Sequence, residues 1–179
     1  AEHNFVGTKC GIMDQFAVVM SEKNHALFLD CESNNYELVP INIGSYKILL
    51  LNTNISHNLA SSEYNVRRQE CETGVSIIQK KYPNVSSLRD VTSTILEEMK
   101  PNFTTTIYNR CNFVISENDR VKLAVEKIKE GDLKSLGNLM YNSHKGLRHL
   151  YNVSCPELDF LVDFSRQYTP VLGARMMGG

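Results

Sequence analysis

The stretch Cys10-Gly11-Ile12-Met13-Asp14-Gln15-Phe16 sets one carboxylate behind a glycine and an apolar pair. The residues behind it, Phe16-Ala17-Val18-Val19-Met20, read as a short helix. A carboxylate can accept the proton of a hydroxyl during group transfer. Gly11, having no Cβ, lets a ligand approach the backbone closely. Asp14 also has two plain structural roles, capping orphan N–H groups or complementing the positive end of the helix dipole. The other reactive types are scattered. Arg67 and Arg68 could meet a phosphate, but beside Glu63, Glu70 and Glu72 on one helix they read as surface ion pairs. Asp30, at a strand end, reads as a turn former. His144 has no acid paired with it by any pattern and reads as a packing or surface residue. Tyr64 reads as an amphipathic tyrosine with a packed ring and a wet hydroxyl.

The elements that must position these residues follow from periodicity and punctuation. Apolar runs predict strands over residues 25–31 and 36–41, joined by a turn at Ser33-Asn34-Asn35. Residues 46–53 hold the most hydrophobic run and predict a central strand covered on both faces. Helical spacing predicts helices over 61–82, 94–99, 107–130, 133–150 and 157–168. Ser61 or Ser62, Thr92 or Ser93, and Asp132 are the expected N-caps, and Pro156 is expected at the first position of the last helix. Residues 1–5 read as the end of a helix stopped near Gly7. Strands followed by a run of helices give the fold class α+β.

The chain has 179 residues, 42% hydrophobic and 22% charged, the balance of a globular domain with a sizeable core. A formal net charge of −1 gives no electrostatic reason to expect nucleic acid or a membrane surface as partner. No run approaches the ~18 apolar residues of a membrane span. The 5 cysteines include no C-x-x-C pair, which argues against zinc and suits a reducing, cytoplasmic setting. Asn54, Asn84, Asn102 and Asn152 each begin an N-x-S/T triplet, but no secretory signal accompanies them.

Three separated blocks give the chain a resemblance. The first is Ala1-Glu2-His3-Asn4-Phe5-Val6-Gly7 running into Cys10–Phe16. The second is Ser62-Glu63-Tyr64-Asn65-Val66-Arg67-Arg68-Gln69-Glu70-Cys71-Glu72. The third is Gly173-Ala174-Arg175-Met176-Met177-Gly178-Gly179. In order and spacing these resemble the galactokinases of the GHMP sugar-kinase superfamily, from one end of the chain to the other. In the last block Met177 stands where threonine is common in that family.

The resemblance implies a two-lobe kinase architecture, incomplete here at both ends, with residues 1–43 a remnant of the N-terminal lobe and 44–179 most of the C-terminal lobe. It implies ATP-dependent phosphorylation of galactose at the anomeric hydroxyl. Asp14 would be the catalytic base, Tyr64 and Gly11 would contact the sugar, and Glu2 would hold Mg²⁺, an ion that takes one or two carboxylates plus substrate phosphates. Gly178 and Gly179 would border the site. An arginine from a missing N-terminal motif would keep Asp14 ionised. Two other readings stay open: a kinase for N-acetylgalactosamine or another sugar, and a non-catalytic galactose sensor that regulates transcription through a protein partner.

Overall fold

The computed structural model of the chain describes residues 11–54 and 60–177, with backbone alone at 60–62. Glu2, the expected opening helix and the closing Gly178-Gly179 pair lie outside the described residues, as do the side chains of Ser61 and Ser62. The architecture is α+β. Helix α1 (Met13–Met20) is followed by strands β1 (His25–Leu29) and β2 (Tyr36–Pro40). Then come α2 (Ala60–Gln79), α3 (Ser93–Met99), α4 (Thr105–Glu130), α5 (Leu133–Gly146) and α6 (Pro156–Gln167). A π-type turn, Leu147–Tyr151, prolongs α5.

β1 and β2 form an antiparallel hairpin, from His25 opposite Pro40 to Leu29 opposite Tyr36. Its connection is closed by Asp30, whose Oδ1 accepts from the Glu32 amide at 2.9 Å, and by Asn34 at φ 59°. That left-handed conformation is one asparagine tolerates better than most residues. Asp30 also takes a two-pronged ion pair from Arg89, at 2.7 and 2.8 Å, which ties the hairpin to the turn before α3. Asp30 is therefore the turn former its position suggests.

The helices begin and end where capping chemistry allows. Thr92 Oγ accepts from the Ile95 amide, Thr104 Oγ from Ile107, and Asp132 from Ser135 at 3.0 Å. Gly131, at φ 70°, ends α4 in the left-handed conformation that glycine adopts without cost from a Cβ. Ile78, Leu88, Leu96, Cys111 and Ile115 are the centre of one core cluster, between α2, α3 and α4. A second cluster joins Phe113 of α4, Leu147 and Met176.

Residues 46–53 are a correction to the sequence reading. Among the described residues they pair with no strand, and Ile48, Leu49 and Leu50 are 77%, 76% and 72% exposed. An apolar run records a tendency to be covered, whereas a strand exists only beside a hydrogen-bonding partner. No described segment supplies that partner. Phe160 and Phe164 on α6 are likewise exposed and stack on each other at 6.2 Å.

The segment after α6 returns across α5. The backbones meet at Gly137 and Gly173, so closely that a Cβ on Gly137 would collide with the carbonyl of Leu172. The obstacle is backbone and cannot rotate away. Gly137→Ala is expected to cost about 1–3 kcal/mol in equilibrium unfolding, the range for forcing extra atoms into a packed interior. A variant of unchanged stability would mean that the two segments are not in contact.

Candidate active site

Asp14 is the second residue of α1, in its first turn. Ile12 is the N-cap residue, and its side chain makes no capping hydrogen bond. The Asp14 carboxylate has no hydrogen-bond or ion-pair partner among the described residues, and it is exposed. Among the described residues no capping bond from it is seen, and an acid in the first turn complements the helix dipole. Gly11 is exposed too, with nothing within 4 Å of where a Cβ would stand. The backbone just ahead of the carboxylate is accessible.

α1 is held mainly by its inner face. Phe16 meets Tyr36 of β2 edge to face, 5.4 Å between ring centroids. Such a pair is worth about 0.5–1.5 kcal/mol beyond area burial. β2 in turn reaches α4 through Glu37 and Lys129, 2.7 Å apart. Asp14 thus sits on a short helix braced by the hairpin, and the hairpin leans on the long helix of the domain.

Tyr64 lies one turn into α2 and is half-buried. No hydrogen bond joins it to Asp14 among the described residues. Two shallow depressions open on the surface, one lined by residues from Lys81 to Asp90 and the other by Asn52, Thr53 and α6 residues. Neither is lined by Asp14 or Tyr64.

One turn further along α2, Arg67 departs from its expected surface position. It is buried, bridging Glu63 at 3.0 Å and Glu70 at 2.7 Å. Arg110 of α4 approaches the same Glu70 oxygen at 2.9 Å. Both guanidiniums then reach the end of α5: Arg110 donates to the Leu150 carbonyl and Arg67 to that of Asn152 at 3.5 Å. A helix end leaves carbonyls without partners and carries a partial negative charge, so two buried cations are favourable there. Arg68 remains a surface pair with Glu72 at 2.9 Å, as expected.

The segment leading to the closing glycines is fixed by several groups. The side chain of Met176 is buried against Phe113 and Leu147, and its amide donates to His144 Nδ1 at 3.3 Å. Arg175 donates to the Met176 carbonyl at 2.9 Å and lies 3.7 Å from Glu117, which also pairs with Arg120 and accepts from Ser143 at 2.5 Å. Burial lowers the pKa of Arg175 from its ordinary value. Met177 is exposed at the end of the described chain. His144 is thus a packing residue, as read, but it does have an acid partner, Asp159 of α6, which the sequence pattern missed. Fifteen residues and a helix turn separate the two, so no local spacing could have paired them.

No group of three or more His, Cys, Asp or Glu among the described residues could hold a metal ion, and Glu2, the expected Mg²⁺ ligand, lies outside them.

Residues 124–179 match the family described as GHMP kinases C terminal. The galactokinase of Thermotoga maritima is 48% identical over 179 residues, 100% of this chain and 49% of that protein. The galactokinase of Clostridium perfringens is 45% identical over 99% of this chain and 46% of its own length. The crystal structure of Lactococcus lactis galactokinase complexed with galactose superposes with a TM-score of 0.93 at 32% identity, covering 99% of this chain and 46% of that one. The chain spans about half the length of the curated relatives it matches. From its first block to its last, the chain is similar to galactokinases, and its residues 124–179 match the GHMP kinase family.

Proposed function

We propose that this chain works as part of a galactokinase about twice its length, which transfers the γ-phosphate of ATP to the anomeric hydroxyl of α-D-galactose. The observation that carries this reading is the end-to-end match to galactokinases, one of them galactose-bound. Asp14 accepts the hydroxyl proton as the sugar oxygen attacks the γ-phosphorus. The bond from that phosphorus to the bridging oxygen breaks, ADP leaves, and galactose 1-phosphate forms. Phosphoryl transfer asks mainly for positioning and charge stabilisation, with one group to take the proton. A carboxylate that is exposed and has no partner among the described residues suits that work. Tyr64 hydrogen-bonds the sugar, and the open backbone at Gly11 lets it approach.

Mg²⁺, when bound, neutralises phosphate charge. Such an ion commonly takes one or two protein carboxylates with substrate phosphates, so the proposal needs only Glu2 from this chain. The lobe assignment extends the same reading: residues 1–43 belong to the N-terminal lobe and 44–179 to the C-terminal lobe. The exposed Ile48–Leu51 run and the Phe160–Phe164 pair fit a surface that the remaining half covers. The cysteines at 31, 71, 111 and 155 are free thiols, in keeping with a cytosolic kinase.

A coupled assay for ADP, run with galactose and ATP, tests the proposal. The full-length kinase is expected to release ADP only when galactose is present. The 179-residue chain alone is expected to release none above background, because the sugar and nucleotide sites are completed by the other half. Robust turnover by the chain alone would contradict that division of labour.

A further inference from the structure

We propose that His144 is a positioning residue for phosphoryl transfer: its neutral ring holds, through the Met176 amide, the returning segment that precedes the closing glycine pair in the sequence. The proposal rests on the galactokinase reading and concerns a residue that touches neither substrate nor Asp14.

His144 lies on the last turn of α5, 3% exposed. Its two ring nitrogens have different tasks. Nδ1 faces the amide of Met176 at 3.3 Å. An amide nitrogen can only donate, so Nδ1 must be the unprotonated, accepting nitrogen. The proton then belongs on Nε2, which lies 3.3 Å from Asp159 Oδ1, although off the line of a direct hydrogen bond. Asp159 is held by Arg148 at 2.8 Å and by the Ser154 hydroxyl at 2.6 Å. The acid thus selects the tautomer, and the tautomer holds the loop.

The hydrogen bond is placed where it has leverage. Just before it, Gly137 and Gly173 bring the backbones into contact, and the Met176 side chain is locked in the core. Two residues beyond Met176 begin the glycines that would border the site. A group that fixes the Met176 amide fixes the end of the segment that returns across α5. Misplacing a phosphate-bordering backbone by about 1 Å can cost about a hundredfold in rate.

The arrangement also sets a sign for pH. Protonation of Nδ1 would turn the acceptor into a donor facing another donor. The charged groups around the ring are Asp159 and Asp163 from α6 and Arg148 from the π-type turn. Glu117 and Arg120 of α4 and Arg175 of the returning segment stand by the neighbouring Ser143. Burial lowers the pKa of His144, and Arg148 lowers it further, while Asp159 and Asp163 raise it; the balance is a pKa below the ordinary 6.5. The folded state therefore favours the neutral ring. The contact is fully present above pH 6.5 and is lost as pH falls from there through the folded-state pKa.

The test uses the full-length kinase with His144→Ala and His144→Asn. Asparagine places a carbonyl oxygen near the position of Nδ1 and does not titrate. Hydrogen exchange of the peptide 172–177, corrected for intrinsic rate, is expected to be slow in the wild type and in His144→Asn, and fast in His144→Ala. In turnover, His144→Ala is expected to lose about ten- to a hundredfold in kcat with KM for galactose nearly unchanged. His144→Asn is expected to restore most of that and to remove the His144 step from the acid limb of the pH profile. Wild-type exchange and kcat in His144→Ala, or an unchanged acid limb in His144→Asn, would overturn the proposal. Exchange is read whether or not galactose is the substrate, so failure of the galactokinase reading would be seen separately, as wild-type protein that does not phosphorylate galactose.

Discussion

Asp14→Asn in the full-length kinase is expected to lower kcat by about 10²–10⁴-fold, the usual contribution of a general base, while leaving the fold intact. Both halves of that expectation come from the same observation. The carboxylate is exposed and has no partner among the described residues, so asparagine disturbs no hydrogen bond among them and opens no cavity. Most surface substitutions of this kind change stability by less than about 0.5 kcal/mol. The amide oxygen of asparagine is too weakly basic to take the sugar proton. Steady-state kinetics beside a thermal melt checks both halves. Near wild-type kcat would remove Asp14 as the base, whereas a collapsed melting temperature would mean that it has a structural partner.

The second large effect is on stability, at Glu70. Its carboxylate lies between two buried guanidiniums, Arg67 and Arg110, which cap the end of α5. Burial pushes the pKa of Glu70 up, but hydrogen bonds and charge from the two arginines outweigh it and hold the pKa below 4.5. Removing one partner of a buried ionic cluster leaves uncompensated charge, at a cost of about 3–5 kcal/mol. Glu70→Ala is expected to lose that much in equilibrium urea unfolding, and Glu70→Gln less, because it keeps one acceptor. Because the folded pKa is depressed, the stabilisation is complete above pH 4.5 and is lost as pH falls through the folded value. A loss below about 1 kcal/mol would reduce the cluster to an ordinary surface ion pair.

The helices were legible because their signals are local. Thr92, Asp132 and Gly131 mark ends by chemistry that acts within one turn, whereas the Thr104 cap was not read and α4 begins two residues before its expected start. The hairpin was legible for the same reason, from its apolar runs and its asparagine-rich turn. The expected strand over 46–53 failed because a strand depends on a partner that hydropathy does not identify. Arg67 was misjudged as a surface residue because what buries it, the π-type turn after α5, is 85 residues away at Asn152. The His144–Asp159 pair and the Gly137–Gly173 contact were invisible for that reason as well. Among the candidate site residues, Asp14 stood out locally only as an acid in a first turn. Its catalytic assignment, like those of Tyr64, Gly11 and Glu2, came from resemblance.

The most direct test of the account is the product that the full-length kinase makes from galactose and ATP, followed by phosphorus NMR. The account predicts one new sugar phosphate, α-D-galactose 1-phosphate, appearing in step with ADP. Phosphate on any other hydroxyl would contradict it, and so would galactose binding with no sugar phosphate formed.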